Sequence, residues 1–596
     1  MLFRSVGVNV PLVSVEHQYM ITERIPGVTA NLPTLRDPDR LTYWKEDVGG
    51  LVWGGYEPNP KPWAVAGIPA GFQFDLLTSD YDHYSQFMEN AIARVPALET
   101  AGVKQLLNGP ESFTPDGNFI LGEAPELRNF YVGAGFNAFG IASAGGAGMA
   151  LAEWAVKGEA PYDLWPVDIR RFGGVHRSVD WVRARTLEAY GKHYTIAWPS
   201  EEMRSARPTR RSPLYAHLKT AGACFGEKLG WERPNWFAGE GEEPVDRYSY
   251  NRPGWFDAVA REHRAAREGV VMIDQTSFAK FRVTGPDAAS ALSWVMAGNV
   301  DRAVGSLTYT QALNARGGIE ADVTVVRRAK DDFYIVTGTG FATHDFDWIG
   351  RNLCGDVQIS DVTSGTAVLS LMGPRAREVL AQICPDDLGN AGFPFGTARQ
   401  ISVARCPVLA LRVTYVGELG WELHIPVDYA VTVYEALAAL GVSNAGYRAI
   451  ETLRLEKGYR AWGADIGPDH TPVEAGLLWA CKMKSGQPFL GRAALEGQVR
   501  DGVGKRLACF TVEDPAVVLL GRETIYRDGV RVGWLSSGGF GHTVGRPIGL
   551  GYVRAKGVDE GFLTRGTYEL EVASERVAAR LHLGALYDPL GLRVKG

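Results

Sequence analysis

The stretch Ala312–Val326, ALNARGGIEADVTVV, commits the chain to a β-strand and then places acid in it. Gly317-Gly318 reads as a turn, and from Ile319 onward polarity alternates with period two. Ile319, Ala321, Val323 and Val325 then share one face of the strand, while Glu320, Asp322 and Thr324 share the other. Two carboxylates about 7 Å apart on one strand face are unwelcome in a core. They are useful in a site, where burial and a neighbouring charge tune proton affinity. The same pattern also fits the solvated face of an antiparallel sheet, so it has to be weighed with the rest of the chain.

At 596 residues the chain has room for roughly three to five domains. Its net charge of -6 argues against nucleic acid as the main partner. Six cysteines (Cys224, Cys354, Cys384, Cys406, Cys481 and Cys509) lack any CxxC spacing. That suggests reduced thiols in a cytosolic-type compartment, with no zinc site and no disulfide framework. No apolar run approaches the roughly 18 residues needed to cross a membrane. The opening MLFRSVGVNVPLVSVEHQYMITE has no charged leader and no cleavage site, and enters directly into strand-like alternation, as if the chain began partway through a domain.

Residues 1 to about 172 mix short strands with one helix, GGAGMALAEWAVKG, whose Ala147, Leu151 and Trp154 share a face. Composition turns basic and polar around 166–215, and EEMRSARPTRRSP reads as an exposed connector. From about 240 to 490 strands and helices alternate, with RAIETLRLEKGYRA as a strong amphipathic helix. From about 503 to 596 strands and Gly/Asp turns dominate, which predicts a small β-barrel or sandwich.

A second acidic constellation is RVTYVGELGWELHIP, Arg412 to Pro426. Read as a hairpin closed by Gly417-Glu418-Leu419-Gly420, it sets Tyr415 directly across from Glu422. An aromatic platform beside a carboxylate suits a flat heterocycle carrying N–H donors; a Tyr–Glu surface pair fits the same spacing. Arg454, in TLRLEKGYRAWG, lies on a helix, where arginines are usually solvated or ion-paired.

In order along the chain, GGIEADVTV, YVGELGWELHIP, ETLRLEKGYRAWGADI, TPVEAGLLW and the terminal GALYDPLGLRVKG resemble the aminomethyltransferase (glycine-cleavage T-protein) fold. EHQYMIT, GGYEPN, the stretch from GPESFTPDGNF to GMALAEWAVKG, and GWERPNWF resemble the dimethylglycine and sarcosine dehydrogenase family, which joins a flavin-dependent amine-oxidising half to a folate-binding half. The resemblance covers essentially all 596 residues. It implies an α+β multidomain chain: the C-terminal part of a DAAO-like FAD-dependent oxidoreductase domain over 1–172, a central domain or connector over 173–235, a folate-binding aminomethyltransferase domain over 236–495 and a C-terminal β-barrel over 503–596. The family's opening GxGxxG strand–turn–helix and its flavin-bearing histidine have no counterpart here. GAGFNAFG follows most of its domain instead of opening it, so a truncated or internally started family member is the expectation.

By the same resemblance Gly140, Ile141, Ala142 and Ser143 close over the flavin ring of FAD at the positive end of a helix, a stretch that also reads as a plain Gly-rich helix start. His17 and Tyr56 match positions facing the substrate amine, with Tyr43 a near-equivalent of Tyr56; a neutral histidine there keeps the amine oxidisable. Asp322 is the implied base for tetrahydrofolate, Glu320 a like charge raising its proton affinity, and Tyr309, Tyr415, Glu422, Arg454 and Trp479 the lining of the pterin and glutamate pocket. The implied reaction oxidises an N-methyl amino acid and passes the one-carbon unit to folate or releases formaldehyde. An electron-transfer flavoprotein is a possible acceptor, and the cytoplasm or a mitochondrial matrix the implied location. A flavin-free folate-dependent aminomethyltransferase and a folate-binding subunit without chemistry are the alternatives.

Overall fold

The computed structural model describes residues 5–596, which divide into two units, one ending at Arg207 and the other spanning Pro208–Gly596. The first unit is organised on the strand Val13–Thr22. This strand pairs antiparallel with Gly50–Gly55, Pro62–Trp63 and the long strand Val103–Phe113 within a six-stranded sheet. Its buried positions start on Val13 and Val15 and resume on Gln18, Met20 and Thr22. The alternation therefore slips by one residue at Glu16–His17, both half-buried, and His17 lies on that break. The helix Gly140–Lys157 buries Ala147, Ala150 and Trp154, so the expected Leu151 gives its place in the core to Ala150.

Three sheets and a barrel make up the second unit, the smallest sheet being the pair Ala223–Lys228 and Trp231–Phe237. Leu307–Leu313, Ile319–Ala329, Asp332–Thr337, Ala279–Thr284 and Gln358–Asp361 form a five-stranded sheet in that order. Ala321, Val323 and Val325 enter its core with Phe281, Phe333 and Ile335, which is the apolar face that the alternation required. A six-stranded sheet centres on Gly420–Pro426 and Thr366–Met372. Lys505–Val512, Thr524–Arg527, Val530–Gly541, Arg546–Arg554, Tyr568–Val572 and Glu575–His582 close into a barrel, which leaves no open sheet edge. No helix among the described residues is long and apolar enough to cross a membrane.

Two expectations need correction. The strand Gly420–Pro426 pairs with Cys406–Leu411, so Leu411, not Tyr415, stands across from Glu422. The strand ends early because Thr414 Oγ1 accepts the Val416 and Gly417 N–H groups at 3.2 and 3.0 Å, a side-chain turn that competes with the ladder. The basic segment before residue 215 is not a solvated connector either. Glu188 accepts the N–H groups of Arg204 and Ser205, and the Arg210 guanidinium lies 4.2 Å from the Trp231 ring centroid.

The turn before Ile319 is specified atom by atom. Gly317 sits at φ +84°, and a Cβ on Gly318 would stand 1.8 Å from the Pro468 carbonyl oxygen. Gly318→Ala is expected to cost about 2–3 kcal/mol through this overlap, read as a lower urea midpoint; an unchanged midpoint would refute the close approach.

Candidate functional site

Pairing of Leu307–Leu313 with Ile319–Ala329 sets Gln311 directly opposite Asp322 and Tyr309 opposite Thr324. Gln311 Nε2 donates to the Asp322 carboxylate at 2.8 Å, and the Tyr309 hydroxyl donates to it as well. Burial pushes the Asp322 carboxyl up to about 6, against those two hydrogen bonds and the positive charge of Arg460, with Asp345 adding a like charge. A carboxyl poised there takes or gives a proton near neutral pH. The Tyr309 ring stacks on Trp479 at 5.7 Å between centroids, and Trp479 is 73% exposed, an open aromatic ledge beside the acid. Tyr415 joins the group: its hydroxyl donates to the Arg460 carbonyl at 2.8 Å, and burial, with a small contribution from the Asp322 charge, keeps that hydroxyl protonated.

Three expected members of this cluster have other employment. Glu320 accepts from Asn314 Nδ2 at 2.9 Å and faces His344 at 3.4 Å; the like charge acting on Asp322 is that of Asp345. Arg454 is buried and makes four hydrogen bonds, from Nε to Glu451, from Nη1 to Asp465 and the Tyr459 carbonyl, and from Nη2 to Ser537, with a further Nη2–Glu451 ion pair at 2.8 Å. It ties its helix to the barrel, with its guanidinium engaged by the protein itself. Glu422 lies beside His424 at 3.6 Å and acts on Tyr334. The cation that does reach Asp322 is Arg460, steered by bonds from Nε to the Ala475 carbonyl (3.0 Å) and from Nη1 to the Gly458 carbonyl (2.7 Å). Sequence reading passed over Arg460 because it follows the helix that carries the more conspicuous Arg454. Gln311 was findable by counting back across the Gly317-Gly318 turn.

The first unit holds a separate constellation. The His17 ring has Tyr190 Oη 3.0 Å from Nδ1 and Tyr43 Oη 3.2 Å from Nε2. Tyr56 lies 4.9 Å from His17 between ring centroids, 3.9 Å from His193 in a stack and 5.0 Å from Tyr194. Burial lowers His17 to about 4, with His193 adding repulsion, and lowers His193 to about 4, with Arg36 adding repulsion. Both imidazoles are therefore neutral at physiological pH. Tyr43 and Tyr56 both pack around His17, and both have their hydroxyls pushed up by burial. Tyr190, His193 and Tyr194 went unread in the sequence, since they sit at the end of the helix Val179–Gly191 and in the turn after it, with no motif to mark a wall of the site.

Gly140, Ile141, Ala142 and Ser143 form the first turn of the long helix, which no side chain caps. Asn137 and Ala138, just before it, both adopt positive φ, at +50° and +68°. The Asn137 amide holds this strained turn by accepting the Thr114 N–H at 2.9 Å and donating to the Gly135 carbonyl at 2.8 Å. A Cβ built on Gly145, Gly146 or Gly148 meets nothing within 4 Å. Bare backbone and unpaired N–H groups at a helix start fit the close approach of a flat, electron-rich flavin ring. Phe139 connects this turn to the cage, 5.6 Å from His193 between ring centroids.

Four family models match in sequence: FAD dependent oxidoreductase over 1–154, its central domain over 157–212, the GCVT N-terminal domain over 214–485 and the glycine cleavage T-protein C-terminal barrel domain over 505–588. Human mitochondrial sarcosine dehydrogenase is 39% identical, over 100% of this chain and 69% of its own length. The 4-methylaminobutanoate oxidase (formaldehyde-forming) of Paenarthrobacter nicotinovorans is also 39% identical, over 100% of this chain and 72% of its own. The crystal structure of glycine cleavage system aminomethyltransferase T from Bartonella henselae covers 64% of this chain and 98% of its own, with a TM-score of 0.54 at 26% identity.

Folding raises the Asp322 carboxyl from 3.8 to about 6. The folded chain thus holds that proton more tightly than the unfolded one, so this group favours folding most at low pH and loses that contribution as pH rises through 6. Asp322→Asn is expected to stabilise the second unit by about 2 kcal/mol at pH 7.5, an effect fading towards zero by about pH 4. Urea titrations at the two pH values check it; a variant destabilised at pH 7.5 would count against the burial argument.

Proposed function

Because the chain belongs to the dimethylglycine and sarcosine dehydrogenase family, we propose that it is an FAD-dependent, tetrahydrofolate-linked oxidative demethylase of N-methyl amino acids. The carrying observation is that one chain holds both a cage of tyrosines around neutral imidazoles and a carboxyl tuned to about 6 beside an exposed aromatic ledge. A flavin-free transferase or a folate-binding subunit would leave the first constellation without a task.

Bound flavin supplies the acceptor for the hydride lost by the N-methyl group. The chain's own part in the first unit is to wall the amine with Tyr56, Tyr194 and His193, and to offer it uncharged imidazole, so that the free amine is the form held. In the second unit Tyr309 and Trp479 offer stacking area to a pterin, and Tyr415 and Arg460 bound the same pocket. Asp322 takes the proton released when a folate nitrogen captures the one-carbon unit. Gln311 and Tyr309 keep its carboxylate aimed while leaving it basic. Onward electron transfer to an electron-transfer flavoprotein and residence in the cytoplasm or a mitochondrial matrix belong to the same proposal, supported by the six free cysteines.

With flavin, an N-methyl amino acid and tetrahydrofolate supplied, Asp322→Asn is expected to keep amine oxidation while methylene-tetrahydrofolate formation falls about a hundredfold and free formaldehyde rises. Equal methylene-tetrahydrofolate yield from the variant would sink the role given to Asp322.

A further inference from the structure

The hydrogen bonds around His17 do not stop at the cage. The Tyr190 hydroxyl donates to Glu57 Oε2 at 2.9 Å, and the other oxygen of the same carboxylate lies 3.0 Å from His83 Nε2. Glu57 is buried, whereas the His83 side chain is 14% exposed, on the short helix Tyr81–Tyr84 near the surface. We propose that Tyr43, His17, Tyr190, Glu57 and His83 form a proton-conducting chain that carries the substrate amine's proton out of the aromatic cage. The inference rests on the amine-oxidation reading and extends it to residues with no place in that reading so far.

Direction follows from donor and acceptor chemistry. A carboxylate only accepts, so the Tyr190 hydrogen is committed to Glu57, and the Tyr190 oxygen is left to accept from His17. His17 therefore carries its hydrogen on Nδ1, which leaves the Nε2 lone pair to accept from the Tyr43 hydroxyl. Each link has one orientation, and all point from the cage towards Glu57. Gly54 makes the first link possible: a Cβ there would stand 2.6 Å from Tyr43 Oη, in the space the hydroxyl needs. With both ring nitrogens engaged, His17 is not a terminal base. It is a relay, kept uncharged by its burial.

In one passage the ammonium N–H bond breaks as the Tyr43 oxygen gains that proton. Tyr43 passes its original proton to His17 Nε2, His17 passes its Nδ1 proton to Tyr190, and Tyr190 passes its own to Glu57; with His83 in the tautomer that leaves Nε2 unprotonated, Glu57 hands its proton to Nε2 as Nδ1 releases one to water. No electrons move, and each hydroxyl and imidazole ends with as many protons as it began with. His17 is left as the opposite tautomer, with its hydrogen on Nε2, and exchange with water (one proton lost from Nε2, one gained at Nδ1) restores the starting arrangement.

The test reads the His17 tautomer by NMR in the full chain labelled with ¹⁵N-histidine, the signal being assigned with His17→Gln. The expected result is a neutral ring protonated on Nδ1, switching to Nε2 in Tyr190→Phe, which keeps the ring and removes the acceptor. In the flavin-loaded chain, Glu57→Gln is expected to slow amine oxidation about tenfold at saturating substrate with KM unchanged, and Glu57→Asp to recover part of the loss. A wild-type ring protonated on Nε2, or full activity in Glu57→Gln, overturns the relay while leaving the demethylase reading intact. A flavin-loaded chain that oxidises no N-methyl amine overturns both.

Discussion

The Asn314 side chain sustains the geometry on which the folate-side cluster depends. Its Oδ1 accepts the N–H groups of Arg316 and Gly318 at 3.0 and 2.9 Å, while Nδ2 donates to Glu320 and to the Pro468 carbonyl. One amide thus closes the turn, fixes the register of the two strands and holds the following segment over them. A slip of one residue would turn Asp322 into the core and Val323 out of it. With the register fixed, Gln311 meets Asp322, and the carboxyl gains a hydrogen-bonding partner without gaining a counterion in contact.

Desolvation is the common physical cause at both sites, with opposite consequences for the two residue types. Burial disfavours charge, so it raises Asp322 to about 6 and lowers His17 to about 4. The first becomes a proton acceptor matched to neutral pH, the second an imidazole that stays neutral there. Each is stabilised by neutral partners, an amide and a tyrosine at Asp322 and two tyrosines at His17. A charged partner in contact would have returned either group to its ordinary range or beyond. Arg454 shows the contrasting use of a buried charge: fully paired with Glu451 and Asp465, it secures a helix to the barrel.

Much of the architecture was legible locally. The alternation after Gly317-Gly318 marked the apolar face of Ala321, Val323 and Val325, and the dense Gly/Asp turns after residue 503 marked a small barrel or sandwich, which the fold closes as a barrel. The hairpin at Arg412–Pro426 failed because a threonine side chain took the backbone N–H groups that the ladder would have used. Arg454 was misplaced for a related reason. Sequence shows that an arginine sits on a helix, but not that Glu451, the Tyr459 carbonyl, Asp465 and Ser537 converge on it.

What the sequence determined by itself is whatever period and turn chemistry dictate: strand faces, the glycine turn, the run of C-terminal strands and the residue types available to each site. Tertiary structure alone decided the partnerships. It set Arg460 in place of Arg454 near Asp322, put Asp345 in the role expected of Glu320, and brought Tyr190 to His17 across 173 positions of chain. The reason is physical. A strand's faces follow from the backbone geometry of adjacent residues, whereas a buried polar group must find its partner wherever the fold delivers one.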